Sequence, residues 1–293
     1  MLVSDPVTVE GTMLDRSWIT PRDTARIHLL PAFKAPICVV LLRRRSKWFH
    51  VLKWNLLNDE LTSGSWFHGK LYIKRCDVSW DGQWMVYLAM GSDAKTWNGL
   101  CCPPWLKTSL DSENVGSWAG GGVFTGPRQL EANTMWHAAG DLAQGSPPGG
   151  LKIVRIDSGG EDLPVLFKRM QRDGWKRNGD RSGEERQLKS LSHKSFVANV
   201  GDDGWSWRPT QKHPTLRTWY RGYFERGYTF EFAIDEYPGF LDALVEWATW
   251  SSSGDLLFAR DGVINRCSLA SLEKETPVFS RDCNVYVPPK LPR

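Results

Sequence analysis

Along this chain apolar and polar residues alternate with a period of two far more often than with a period of 3.6, and Gly, Asp, Asn and Ser interrupt the pattern at short intervals. Strands joined by tight turns are therefore the predicted elements. The clearest stretch runs from Leu71 to Met90: Leu71-Tyr72-Ile73, then Val78-Ser79-Trp80, a turn at Asp81-Gly82, and an apolar strand over Trp84-Met85-Val86-Tyr87-Leu88-Ala89. A second copy follows near the other end. There Trp247-Ala248-Thr249-Trp250 leads through the turn Ser251 to Gly254 into Leu256-Leu257-Phe258-Ala259, followed by Asp261-Gly262 and Val263-Ile264. Weaker echoes, in which a small-residue turn precedes a tryptophan able to begin a strand, stand at Arg45-Ser46-Lys47-Trp48, Gly116-Ser117-Trp118, Asp173-Gly174-Trp175 and Asp203-Gly204-Trp205.

About six units result, and 293 residues divided among six gives about 49 each, close to the size of a four-stranded blade. One such blade cannot bury both faces alone, so the units are expected to stack radially and close into a ring. Val7-Thr8-Val9 or Asn284-Val285-Tyr286-Val287 could supply a closing strand. Val78-Ser79-Trp80-Asp81-Gly82 with Met85-Val86-Tyr87-Leu88-Ala89 resembles the "SPDG, then apolar strand" signature of TolB-like and WD40-like propellers, with Trp80 where that family usually has Pro. The resemblance covers two units and implies a ring-shaped scaffold without implying any chemistry. The expected fold is thus all-β, an irregular β-propeller of about five to six blades, in one domain over residues 1–293. The alternatives are a β-sandwich or an α+β arrangement.

Helix is expected to be minor. Gly239 to Ala248 has the apolar spacing of one or two helical turns, though strand fits there nearly as well. Two stretches read as long exposed loop insertions: 138–150, which contains Gly145-Ser146-Pro147-Pro148-Gly149-Gly150, and the charge-dense 172–194.

Composition sharpens this picture in one respect. The chain carries 16 Trp, where an average protein of its size has roughly four, and large rings suit thin sheets because each buries much area. The 37 Lys and Arg against 33 Asp and Glu are spread along the whole chain for a net charge of +4, so strong electrostatic binding to nucleic acid is not expected. The segment Met1-Leu2-Val3-Ser4-Asp5-Pro6 lacks the charged and then apolar run of an export signal, and no window approaches the ~18 apolar residues of a membrane helix. A cytoplasmic location follows as the expectation, and with it reduced thiols at Cys38, Cys76, Cys101, Cys102, Cys267 and Cys283.

Candidate chemistry is sparse. The run Gly116 to Arg128 is glycine-rich but lacks the Gly-Lys-Ser/Thr ending that places a lysine and a hydroxyl on phosphate, so a tight blade turn is the plainer reading. Adjacent Cys101-Cys102 do not match the spacing of a zinc site, and a buried small-hydrophobe role fits better. His28, His50, His68, His137, His193 and His213 are scattered, yet a ring could still bring some of them together in a central channel. No nucleophile elbow or Cys/His pairing stands out, and Asp235-Glu236 and Asp202-Asp203 read as solvated turns. The basic run Arg43-Arg44-Arg45-Ser46-Lys47 reads as a hairpin guarding a sheet edge, or alternatively as a dock for an acidic partner.

Trp205, Trp207 and Arg208, together with Arg217, Trp219, Tyr220 and Arg221, interleave aromatic and arginine side chains. They are amphipathic strands packed on neighbouring blades, the hot spot of a protein interface, where Trp, Tyr and Arg concentrate, or a surface that stacks sugars or nucleic-acid bases. No catalytic residue, metal ligand or cofactor is assigned. The leading expectation is a non-catalytic cytosolic scaffold that binds a protein partner, as a complex subunit or an inhibitor of a partner enzyme. The rival is an enzyme or ligand-binding propeller with a metal or sugar-like ligand in its channel.

Overall fold

The computed structural model describes residues 24–114, 116–134, 142, 146–156, 162–178, 204–223 and 227–290, with the backbone alone at 113, 114, 220–223 and 227–229. The chain is an all-β propeller of five blades, at the lower end of the expected count. Blade 1 is a meander of β1 (Arg26–Pro31), β2 (Ile37–Arg43), β3 (Trp48–Asn55) and β4 (Glu60–His68). Its second strand, Cys38-Val39-Val40-Leu41-Leu42, is buried on both faces because one face meets blade 2 and the other the largest core cluster. Such a strand reads as a continuous apolar run rather than an alternating one. The basic run forms the β2–β3 hairpin, with Ser46 (φ 57°) and Lys47 (φ 62°) both left-handed, as the tightest hairpin turns require.

Blade 2 has an interrupted first strand. Both β5 (Lys70–Leu71) and β6 (Asp77–Val78) pair with β7 (Met85–Met90), and a 3-10 turn, Ile73–Arg75, lies between them; β8 (Thr96–Cys101) and β9 (Thr108–Asn114) complete the sheet. Blade 3 is β10 (Gly122–Gly126), β11 (Gln129–Asn133) and β12 (Lys152–Ile156), the last parallel to its neighbour. Blade 4 is β13 (Lys176–Arg177), β14 (Trp205–Trp207), β15 (Leu216–Tyr223) and β16 (Gly227–Ile234). Blade 5 is β17 (Val245–Trp250), β18 (Leu256–Arg260), β19 (Val263–Cys267) and β20 (Phe279–Asp282).

The two strong sequence copies close in the same way, though the first loop is one residue longer. Ser79 N–H donates to the Trp84 carbonyl while Trp84 N–H donates to Ser79 Oγ at 2.9 Å, and Gly82 sits at φ 73°. Ser251 N–H donates to the Asp255 carbonyl, Asp255 N–H donates to Ser251 Oγ at 3.0 Å, and Gly254 sits at φ 87°. In each case the serine hydroxyl closes the loop and the glycine supplies the left-handed residue, which is why the pattern survives in the sequence.

Blade 1 meets blade 2 through β1 and β6, blade 2 meets blade 3 through β6 and β10, and blade 4 meets blade 5 through β16 and β17; β17 then returns to β1. At that seam Glu246 on β17 accepts from Ile27 N–H, and the Asn284 side chain accepts from Ala25 N–H at 2.7 Å while donating to the Asp261 carbonyl. Asn284 to Val287 is therefore no closing strand, since β20 ends at Asp282 and the seam is held by side chains instead. Val7 to Val9 lies outside the described residues.

Between blades 3 and 4 stands the unexpected element, an 11-residue helix α1 (Leu163–Asp173) with Pro164 in its first turn and a left-handed Gly174 cap. The stretch expected to be a loop from 172 thus begins in the last turn of α1 and continues through Trp175 into β13, while 179–194 lies outside the described residues. Of the other expected insertion, 146–150 is described as an extended entry and a 3-10 turn leading to β12, and the isolated Leu142 is buried. Conversely, Gly239 to Leu244 is a series of turns leading straight into β17, so no helix forms there.

The tryptophans explain their own number. Trp54, Trp175, Trp205, Trp247 and Trp250 are buried together in the largest cluster. Trp80 of blade 2 donates its indole N–H to the Phe124 carbonyl of blade 3 at 3.1 Å, and Trp250 of blade 5 donates to the Trp207 carbonyl of blade 4 at 3.4 Å. Each ring fills an inter-blade gap and its polar atom ties the two blades. Among the described residues no helix is long and apolar enough to cross a membrane.

Candidate functional site

The sequence leaves open whether ionisable residues from different blades meet at the ring centre, and they do. β1, β6, β10 and β17 converge on α1, bringing His28, Asp77, Arg169, Arg172 and Asp173 together. Residues 163, 166 and 170 of α1 follow helical spacing and pack into the largest core cluster, where Phe167 lies 5.1 Å from the Trp205 ring of blade 4. That packing fixes the arginines between them against the blades.

Arg172 donates to both carboxylate oxygens of Asp77, to Asp173 at 2.7 Å and to the Phe124 carbonyl at 3.0 Å. Asp77 in turn accepts from Phe124 N–H at 2.7 Å. Burial works against the Arg172 charge, but Asp173 and Asp77 outweigh it and hold its pKa above the usual value. Burial also pushes the Asp173 carboxyl up, against the pull of Arg172. Arg169 donates to the Cys76 carbonyl and, at 2.9 Å, to His28 Nε2. An imidazole that accepts from a guanidinium is neutral at that nitrogen, and burial followed by the Arg169 charge holds His28 well below the usual imidazole range.

Next to this network, Arg75 donates to Asp162 at 2.8 Å and to the Trp118 carbonyl at 3.1 Å. The Lys74 ammonium lies 5.3 Å from the Phe230 ring centre, with its pKa lowered by burial to about 8. The cavity lined by Asp77, Arg169, Arg172 and Asp173 holds about 10 Å3, room for about one water molecule. The convergence is a closed set of buried ion pairs and hydrogen bonds that locks α1 across the ring.

The glycine-rich run is structural. Gly121 (φ 77°) lies so close to the Arg75 backbone that a side chain would collide with it, and its N–H donates to Asn98 Oδ1 at 2.8 Å. Cys101 is in the core beside Cys76, whose thiol burial pushes up to about 12, and Cys102 is exposed on the other side of the chain. All six cysteines are free. Among the described residues no group of three or more His, Cys, Asp or Glu is placed to hold a metal ion.

No protein-family model and no curated protein sequence matches the chain.

The aromatic and arginine residues singled out in the sequence divide between core and surface. Trp205 is buried against Phe167, and Trp207 is half-buried with its ring 5.6 Å from that of Trp175. Arg208 pairs with Glu236 and donates to Thr215 Oγ1 at 2.9 Å, and Arg217 pairs with Asp235 at 2.5 Å. These two pairs form a solvent-facing ladder, with Arg208 just after β14, Arg217 on β15 and both carboxylates in the turn after β16. Trp219 is half-buried next to Gly204, while the side chains of Tyr220 and Arg221 lie outside the described set.

Two tryptophans that the sequence did not mark as surface residues stand out. Trp118 is 52% exposed and Trp105 54% exposed, unusual for so large a ring. Trp118 was expected to begin a strand. It sits instead in a bend whose carbonyl is held by Arg75, beside α1. Exposure of this kind has no signature in one dimension, because core and surface tryptophans look alike.

Proposed function

We propose that the chain is a non-catalytic scaffold that binds a protein partner, as a subunit of a complex or an inhibitor of a partner enzyme. The mutual bonding of the ionisable residues at the ring centre carries this reading. The ionisable residues a channel-based enzyme or ligand binder would turn toward its ligand are here bonded to one another beneath α1, with about 10 Å3 left between them. The surface offers what protein interfaces use: exposed Trp118 at the ring centre's edge, and the arginine–carboxylate ladder of Arg208, Glu236, Arg217 and Asp235. Tyr220 and Arg221 continue that strand. The serine-closed turns of blades 2 and 5 support placing the repeats with the TolB-like and WD40-like propellers, and a cytoplasmic location suits the six free thiols.

The test is recovery of the tagged full chain from its native cells through a salt wash, side by side with Trp118→Ala and the double variant Arg208→Glu/Arg217→Glu. The expected result is one stoichiometric protein partner held by the wild type and lost from a variant that melts at the same temperature. A chain recovered alone with a tightly bound metal ion or small molecule would overturn the reading.

A further inference from the structure

Away from the centre, at the outer end of the contact between blades 1 and 2, the packing leaves a hollow of about 280 Å3. Its origin can be followed through the strand register. On one face of blade 2, Tyr87 on β7, Gly99 on β8 and Asp111 on β9 lie side by side, and the adjacent row is Leu71, Ala89 and Trp97. The small residues Gly99 and Ala89 interrupt an otherwise large-residue face. A side chain at position 99 would fall inside the Tyr87 ring, so the hollow depends on glycine there.

The walls are aromatic and fixed. Phe67 of β4 meets Trp97 edge-on, with ring centres 5.8 Å apart and planes at 87°. The Tyr87 ring is buried and its hydroxyl reaches the Leu106 carbonyl at 3.4 Å and Thr108 Oγ1 at 3.3 Å. The loop carrying Leu106 is tied to blade 1, with Ser65 N–H donating to the Pro104 carbonyl at 3.1 Å and Leu106 N–H donating to Ser65 Oγ at 2.9 Å. At the mouth stands Asp111, exposed, with no ion-pair partner among the described residues.

We propose that this hollow binds a substituted ammonium cation. Phe67 and Trp97, set at right angles to each other, and Tyr87 line the hollow with aromatic surface, whose negative π-faces attract a soft cation, and the Asp111 carboxylate at the rim complements its charge. The volume lies just under the 300–1,000 Å3 of pockets that take whole drug-sized ligands, so it suits a headgroup rather than a nucleotide. A hydrated inorganic ion would gain little from apolar walls, and a neutral alkyl group would leave Asp111 unused. Because the walls are held by core packing and backbone hydrogen bonds, the site needs no ordering on binding. The same chemistry is carried by a free quaternary ammonium molecule and by a methylated lysine side chain, and this site is independent of the partner surface on blade 4.

The experiment titrates the full chain with choline, with a peptide carrying trimethyllysine, and with 3,3-dimethyl-1-butanol, the uncharged isostere of choline, read by calorimetry and by tryptophan fluorescence. Choline or the peptide is expected to bind and the isostere to bind at least tenfold more weakly. Asp111→Asn, at an exposed position that keeps the fold, is expected to weaken the charged probe about tenfold, and Trp97→Leu roughly 30-fold, the ratio that a desolvated cation–π contact of about 2 kcal/mol gives. Tighter binding of the peptide assigns the site to a partner's side chain, and tighter binding of choline assigns it to a small metabolite. Binding of neither, or equal binding of choline and its isostere, would overturn the proposal, as would unchanged affinity in a folded Asp111→Asn.

Discussion

The ring centre and the hollow between blades 1 and 2 differ in the sense opposite to what their composition suggests. The centre gathers a histidine, two arginines and two aspartates, yet these side chains are bonded to one another and to the backbone carbonyls of Cys76 and Phe124. The hollow has a single carboxylate and otherwise carbon-rich walls, yet both its space and its charge are open. Saturation, more than the density of polar groups, separates a structural network from a binding site. A buried ion pair is stable only when fully paired, whereas a site has to leave something unsatisfied.

The sharpest way to break the comparison is Asp77→Ala. It strips Arg172 of its bidentate partner and leaves Phe124 N–H without its acceptor, in a place almost closed to water. Denaturant unfolding is expected to show a loss of about 3–5 kcal/mol; a loss under about 1 kcal/mol would mean that the central network is as dispensable as a surface pair.

A smaller effect is expected from acid. The folded-state pKa of His28 lies below the value near 6.5 of the unfolded chain. As pH falls through 6.5 the unfolded chain binds a proton that the native state refuses, so this contribution is intact above that pH and is lost progressively below it, by at most about 1.4 kcal/mol per pH unit. His50, also lowered by burial, acts in the same sense, and Asp173, raised by burial, acts in the opposite one. Comparison with His28→Gln isolates the His28 share: the variant's stability should depend less steeply on pH between 6.5 and 5, and parallel curves would show that His28 is not the group that titrates.

On the exposed ladder, Arg217→Ala is expected to cost under about 1 kcal/mol, because solvent screens a pair whose members are 38% and 36% exposed. A larger loss would place the ladder with the core. Least of all, Asp111→Asn should leave the melting transition within about 0.5 kcal/mol of wild type while weakening choline binding. A marked destabilisation would make Asp111 a structural residue and the hollow a packing defect.

Much of the fold was legible because it is locally encoded. The Ser79 and Ser251 turns close within a few residues, and their serine and glycine are chemically required, so hairpins and their repetition could be read in one dimension. Helix α1 carried signals that strand periodicity elsewhere masked: Pro164 in its first turn, apolar residues at 163, 166 and 170, and Gly174 as its cap. The rim hollow had no comparable signal. Gly99 and Ala89 matter only because Tyr87 and Trp97 lie next to them across strands, and Phe67 belongs to another blade.

By itself, then, the sequence determined that this protein is built of short strands and tight turns, with tryptophan as its main filler. Hydrogen bonding and side-chain periodicity act over a few residues, so such features are written locally. The closure of five blades, the placing of α1 across their centre and the opening between blades 1 and 2 were decided only by the tertiary structure. They depend on contacts such as Arg172 with Asp77 and Phe67 with Trp97, between residues far apart along the chain, where the same residue type is core in one place and surface in another.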